Sequence, residues 1–228
     1  PPELTWDLPE GWTAGALQFP APERLEVDGL VSYAYEDVVT FIVPIETSGD
    51  LPMGETVRLG VDVFYLICKD VCLPGEASLS LELEVGDAAE PGPAADRFAA
   101  ARASQPDTGS VWQLKPSVAG ETMHLRIEGP EMPENFYFFA QETGYVDPNA
   151  QQPYSVEDGV GHLEIPLDFA YFEADKPVIP GVLQSEEGSW AVRLGRATGA
   201  VPAPDGIDGM DRVVTQSGGG GFEQKLLD

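Results

Sequence analysis

Val57-Arg58-Leu59-Gly60-Val61-Asp62-Val63-Phe64-Tyr65-Leu66-Ile67-Cys68-Lys69-Asp70-Val71-Cys72-Leu73-Pro74-Gly75-Glu76, continued by Ala77-Ser78-Leu79-Ser80-Leu81-Glu82-Leu83-Glu84-Val85, decides the fold. Apolar and other residues alternate through both flanks, and a period of two over this length predicts half-buried strands. Between them lie the chain's two cysteines, Cys68 and Cys72. Four steps of extended chain cover about 13 Å, whereas a disulfide needs Cα atoms about 4.4–6.8 Å apart. If the two bond, the chain must reverse within Lys69-Asp70-Val71, at a strand end closed by Pro74-Gly75.

Three roles are open to such a pair. As a staple it is weak: loop entropy assigns so short a loop roughly 2 kcal/mol, against about 4.7 kcal/mol for a 100-residue loop. A metal site would need further soft ligands, and His124 and His162 lie far downstream. A redox-active pair fits the spacing best, with an inert bridge as its rival. The polar face of the first flank (Arg58, Asp62) turns apolar at Phe64 and Leu66, on the parity of Cys68. A cover over that end is expected, either a lid or a domain contact.

The totals bound the rest. A chain of 228 residues suffices for two domains of about 100 residues each. Its 25 Gly and 21 Pro suit many short strands joined by turns. A formal charge of −27 argues against nucleic acid, whose binding rests on clustered Lys and Arg, and against an anionic membrane surface. No apolar run of membrane-spanning length occurs. Pro1-Pro2 reads as an internal cut, so a mature or excised fragment is expected.

In chain order, residues 3–20 predict short strands broken by Pro and Gly, with Trp6 and Trp12 as core or edge aromatics. Residues 25–35 are mixed. Val38-Val39-Thr40-Phe41-Ile42-Val43-Pro44-Ile45 predicts a strand buried on both faces. Ala94 to Ala103 is alanine-rich, with Pro93 before it and Pro106 after, a short helix. Strands are expected at 111–115, 122–128, 135–140, 161–167 and 189–194. The predicted fold is all-β: two immunoglobulin-like β-sandwich domains joined by a short helical connector. The bounds are 1–88 for a redox domain, 89–108 for the connector, 109–202 for the second sandwich and 203–228 for a flexible tail.

Trp6-Asp7-Leu8-Pro9-Glu10-Gly11-Trp12, Gln18-Phe19-Pro20-Ala21-Pro22-Glu23-Arg24, Gly29-Leu30-Val31-Ser32-Tyr33-Ala34-Tyr35-Glu36 and Cys68-Lys69-Asp70-Val71-Cys72-Leu73-Pro74-Gly75-Glu76 carry a family resemblance. They resemble the periplasmic N-terminal region of bacterial membrane thiol–disulfide interchange proteins of the DsbD/ScsB type. The Cys-x3-Cys spacing is closer to the ScsB-like branch. The resemblance implies a protein-disulfide reductase of the periplasm, of the kind tied to cytochrome c biogenesis, anchored in the inner membrane by its parent protein. Electrons would come from the parent's transmembrane and thioredoxin-like domains and pass to thioredoxin-fold periplasmic proteins. Cys72 would form the mixed disulfide and Cys68 would resolve it, with neither cofactor nor metal. The family's cap loop falls between Glu26 and Tyr33, with Leu30 nearest to its aromatic. Leu30, Tyr33, Tyr35, Phe64, Tyr65 and Asp70 are candidate wall or cap residues. Lys69 favours a thiolate, while Asp70 and the acidic chain oppose it, so the thiols are expected to titrate near or above about 8.5. The alternative is a non-catalytic immunoglobulin-like binding module with a structural hairpin disulfide.

Overall fold

Thirteen-residue strands on either side of the cysteines dominate the N-terminal part of the chain: β6 (Thr56–Cys68) and β7 (Cys72–Glu84). They are paired residue for residue, from Thr56↔Glu84 to Cys68↔Cys72. The computed structural model describes residues 2–27, 29–47, 51, 53–68, 71–87, 92–109, 111–175 and 178–195. Within these it is all-β apart from two short helices. The packing divides the chain into two units, one drawn from Pro1–Ala16 and Val43–Glu90, the other from Leu17–Ile42 and Pro91–Met210. Residues 17–42, adjacent in sequence to the first unit, thus pack with the second.

In the first unit β1 (Glu3–Asp7) lies antiparallel to β6 between Gly60 and Phe64, giving the order β1-β6-β7. β2 (Thr13–Ala14) and β5 (Ile45–Glu46) form a separate short ribbon. The predicted alternation holds on β6: Val57, Leu59, Val61, Val63 and Tyr65 are half-buried while Arg58, Asp62 and Phe64 are exposed. It fails on β7, where Leu79, Leu81 and Leu83 are 58%, 55% and 41% exposed. Strand β7 is an edge, with β6 its one neighbour among the described residues. Only Gly60, of the unit's described residues, is buried.

The strand expected over residues 38–45 is not continuous. Asp37 takes a left-handed φ of 55°, Val38 is 88% exposed, and Pro44 has no N–H to give a ladder. What remains is an isolated bridge at Ile42 and the two residues of β5. The stretch before it forms an antiparallel hairpin, β3 (Glu23–Val27) with β4 (Leu30–Ala34), turning at Gly29 with φ 79°. A left-handed φ of that kind suits glycine.

The second unit holds the apolar core. α1 (Ala95–Ala103) precedes β8 (Gln113–Ala119), β9 (Thr122–Glu128), β10 (Tyr137–Ala140), β11 (Tyr154–Glu157), β12 (Val160–Pro166), α2 (Phe169–Glu173), β13 (Val178–Ser185) and β14 (Gly188–Gly195). They build two sheets, β11-β12-β9-β8 and β10-β13-β14. Met123, Leu125 and Ile127 of β9, Leu163 and Ile165 of β12, and Ile179 and Leu183 of β13 are at most 1% exposed and share one core with Trp112, Phe138 and Trp190. Burying each such aliphatic side chain stabilises by about 1.5–3 kcal/mol. The amide of buried Gln152 works like a strand neighbour for Phe138, accepting from its N–H at 2.8 Å and donating to its carbonyl at 2.9 Å. Asp168 caps α2 by accepting from the Phe169 N–H.

A candidate redox site at the tip of a β ribbon

Cys68 and Cys72 form a disulfide between directly opposed residues, with Cα atoms 4.0 Å apart. Chain reversal brings them together, as the sequence requires if they bond. Alternation along each strand puts Cys68, Leu66 and Phe64 on one face of the ribbon with Cys72, Pro74 and Glu76. Ile67 and Tyr65 share the opposite face with Leu73 and Gly75.

The tip is open to solvent. Both cysteines are exposed, and around them Leu66, Ile67, Val71 and Leu73 are 60–65% exposed. Four large apolar side chains in water at one point, beside a bond that can be exchanged, form a surface suited to a visiting protein. Strand β1 reaches only as far as Phe64. From Tyr65 to Cys68 and from Cys72 to Gly75 the sheet is therefore two strands wide among the described residues.

Among the other candidate residues, Phe64 and Tyr65 lie on this ribbon. The Tyr65 ring rests on Gly75, where an added Cβ would meet its Cζ at 2.6 Å. Leu30, Tyr33 and Tyr35 belong to the second unit. Leu30 sits at the β3–β4 turn, 72% exposed. Tyr33 packs edge-on against Phe139 at 5.0 Å between ring centroids, and its hydroxyl is 3.4 Å from that of Tyr137. Burial first, then that hydrogen bond, pushes the Tyr33 phenol well above its usual range. The Tyr35 hydroxyl donates to the Pro20 carbonyl at 2.8 Å, and burial pushes its pKa up to about 12. Asp70 lies outside the described residues, as does the tail expected at 203–228. Gly75 is the element that strand-pattern reasoning passes over. Its signal is a glycine three residues past the second cysteine, mirroring an aromatic three residues before the first.

Residues 1–84 match the family model described as thiol:disulfide interchange protein DsbD, N-terminal. Over these residues the chain is similar to the N-terminal domain of that family. The match contains both cysteines and stops at Glu84, where β7 ends. The crystal structure of the N-terminal periplasmic domain of ScsB from Proteus mirabilis superposes with a TM-score of 0.63 at 17% identity, covering 87% of this chain and 78% of that one. At that identity the likeness speaks for the fold. No curated protein sequence matches the chain. The joined, exposed cysteines lie inside the stretch similar to a thiol:disulfide interchange family, and thiol–disulfide interchange is the general chemistry that this similarity and the Cys68–Cys72 bond support. Among the described residues no helix is long and apolar enough to cross a membrane.

Proposed function

We propose that the Cys68–Cys72 pair passes electrons from a membrane electron-transfer domain of the parent protein to periplasmic thioredoxin-fold proteins. The observation that carries this is a disulfide at the exposed end of a β ribbon, ringed by exposed apolar side chains. In the reduced state the Cys72 thiolate attacks one sulfur of the partner's disulfide, and the partner's other sulfur leaves as a thiolate. The Cys68 thiolate then attacks the Cys72 sulfur and expels the partner's remaining sulfur. Two electrons move to the partner, Cys68 and Cys72 end as a disulfide, and the expelled thiolates take protons from solvent. Phe64 shares the cysteines' face and serves as a wall of the site. Leu30, Tyr33, Tyr35 and Asp70 stand as cap or wall candidates on the resemblance alone.

Direction follows from the local electrostatics. Cys68 ends one strand and Cys72 begins the next, so neither stands at a helix N-terminus. With no helix end to hold a thiolate, the reduced form gains little special stability. Strong oxidants owe their power to that stability, so this pair is a donor. The chain is read as two immunoglobulin-like sandwiches, a redox domain over residues 1–88 and a second sandwich over 109–202 with a connector over 89–108, and within the first stretch residues 17–42 pack with the second unit. The chain is read as a periplasmic part of an inner-membrane protein.

The test is a trap. A Cys68→Ala chain cannot resolve its intermediate, so a thioredoxin-fold disulfide protein should accumulate as a mixed disulfide through Cys72, and Cys72→Ala should give none. A folded Cys68→Ala chain that forms no adduct would favour the binding module with an inert bridge. A reduction potential near the roughly −120 mV of the strongest periplasmic oxidants would defeat the donor assignment.

A further inference from the structure

The ring of Tyr65 covers Gly75 two rungs below the Ile67↔Leu73 pair that precedes the disulfide. We propose that Tyr65 and Gly75 form a register clamp that sets the redox equilibrium of Cys68 and Cys72. The inference rests on the proposed function of that pair and names two positioning residues for it.

Three observations converge. First, an ideal Cβ on Gly75 would lie 2.6 Å from both Cε2 and Cζ of Tyr65 and 2.9 Å from its hydroxyl oxygen, so the ring occupies the space that any side chain here would need. Second, Tyr65 is half-buried although its neighbours Leu66 and Ile67 are exposed, and Gly75 is the residue directly opposite it. An aromatic ring laid over an edge-strand glycine is a recognised means of pinning strand register. Third, the clamp sits where the sheet has narrowed to two strands, beyond the reach of β1. A two-stranded ribbon is marginal on its own in water.

The consequence is asymmetric between redox states. In the disulfide form the covalent bond keeps Cys68 opposite Cys72 whether or not the ribbon is otherwise firm. In the dithiol form only strand pairing keeps the sulfurs together. The apparent constant for disulfide formation is the intrinsic constant multiplied by the fraction of dithiol molecules whose tip is in register. A clamp raises that fraction, and so makes the dithiol a stronger donor. A cross-strand pair changes such a fraction by about two- to fivefold.

The experiment equilibrates the full chain with glutathione. The disulfide is reduced by two glutathione thiols, whose protons end on Cys68 and Cys72 as the two glutathiones join in one disulfide. Tyr65→Ser and Gly75→Ala should each lower the constant for disulfide formation by about two- to fivefold. Tyr65→Phe keeps the ring and should retain the parent value. The double variant Tyr65→Ser, Gly75→Ala should be no lower than Tyr65→Ser alone, because the added methyl no longer meets a ring. Unchanged constants in both single variants, or losses that simply add in the double, would overturn the clamp. Tyr65→Ser removes bulk from a half-buried position and decides the matter alone should Gly75→Ala not fold. The glutathione constant is defined whether or not a partner protein is reduced. A failed Cys72 trap therefore strikes the proposed function, and an unmoved constant strikes the clamp.

Discussion

Reducing the disulfide should cost the first unit little. The closed loop runs from Cys68 to Cys72, a sequence separation of 4. For so few residues the loop-entropy relation gives about 6–7 cal/mol/K, or about 2 kcal/mol at 25 °C. That figure is an upper bound, because the relation assumes an unstructured loop in the unfolded chain, and the β6–β7 pairing continues for twelve further rungs below the cysteines. The assay is denaturant unfolding of the oxidised chain, the reduced chain and a Cys68→Ser, Cys72→Ser variant. The first unit is followed through Trp6 and Trp12 in a Trp112→Phe, Trp190→Phe background. The three midpoints should differ by the equivalent of no more than about 2 kcal/mol, and the reduced chain should keep its strand signal. Loss of the first unit's fold on reduction, or a cost above about 4 kcal/mol, would mean that the bridge is a staple. A pair that opens in every turnover, as the proposed function requires, cannot also be what holds its domain together.

Other consequences separate the two units. Leu125→Ala, in the sealed core of the second unit, should cost about 2–5 kcal/mol in a denaturation midpoint, whereas Leu81→Ala on exposed β7 should stay within about 0.5 kcal/mol. Gln152→Ala would strand the buried N–H and carbonyl of Phe138, for a loss of about 1–3 kcal/mol. Tyr35 supplies a pH test. Its folded pKa of about 12 stands above the ordinary tyrosine value of 10.0, so between these limits the folded chain keeps a proton that the unfolded chain has lost. The stability this contributes is full below pH 10 and disappears as pH rises through 12. Tyr35→Phe should flatten that part of an alkaline stability profile.

What was legible in the sequence was local. The period-two flanks of Cys68 and Cys72 give β6 and β7, and the geometry of a short loop gives the chain reversal between them. Alanine-rich sequence between Pro93 and Pro106 gives α1. Strands interrupted by proline are harder: β13 carries Pro180-Gly181 at its middle, which disguises the alternation of Ile179, Leu183 and Ser185 toward the core. The five-residue α2 is too short for a helical period, and only its cap, Asp168, marks it. The continuous apolar run from Val38 suggests a buried strand, but Asp37 and Pro44 forbid one. Membership of residues 17–42 in the second unit shows only in long-range contacts such as Tyr33 with Tyr137, a partner 104 residues away. Register has the same character. That Tyr65 stands opposite Gly75 follows only once Cys68 is known to face Cys72, after which the rungs can be counted.

The distribution of burial bears on why the exchangeable bond sits where it does. The second unit owns nearly all the fully buried side chains, while the first has an open sheet with one buried glycine among its described residues. A disulfide set in a tight core could be reached only by unfolding, and its opening would leave a packing defect. At the end of a two-stranded ribbon neither cost arises, because few contacts depend on the sulfurs being joined. The same openness threatens to let the dithiol drift apart, which would weaken it in the proposed donor role. A ring over a glycine supplies order at that point without burying the cysteines. Accessibility and preorganisation, which oppose each other in a packed site, are thereby assigned to opposite faces of one ribbon: sulfurs on one, Tyr65 and Gly75 on the other.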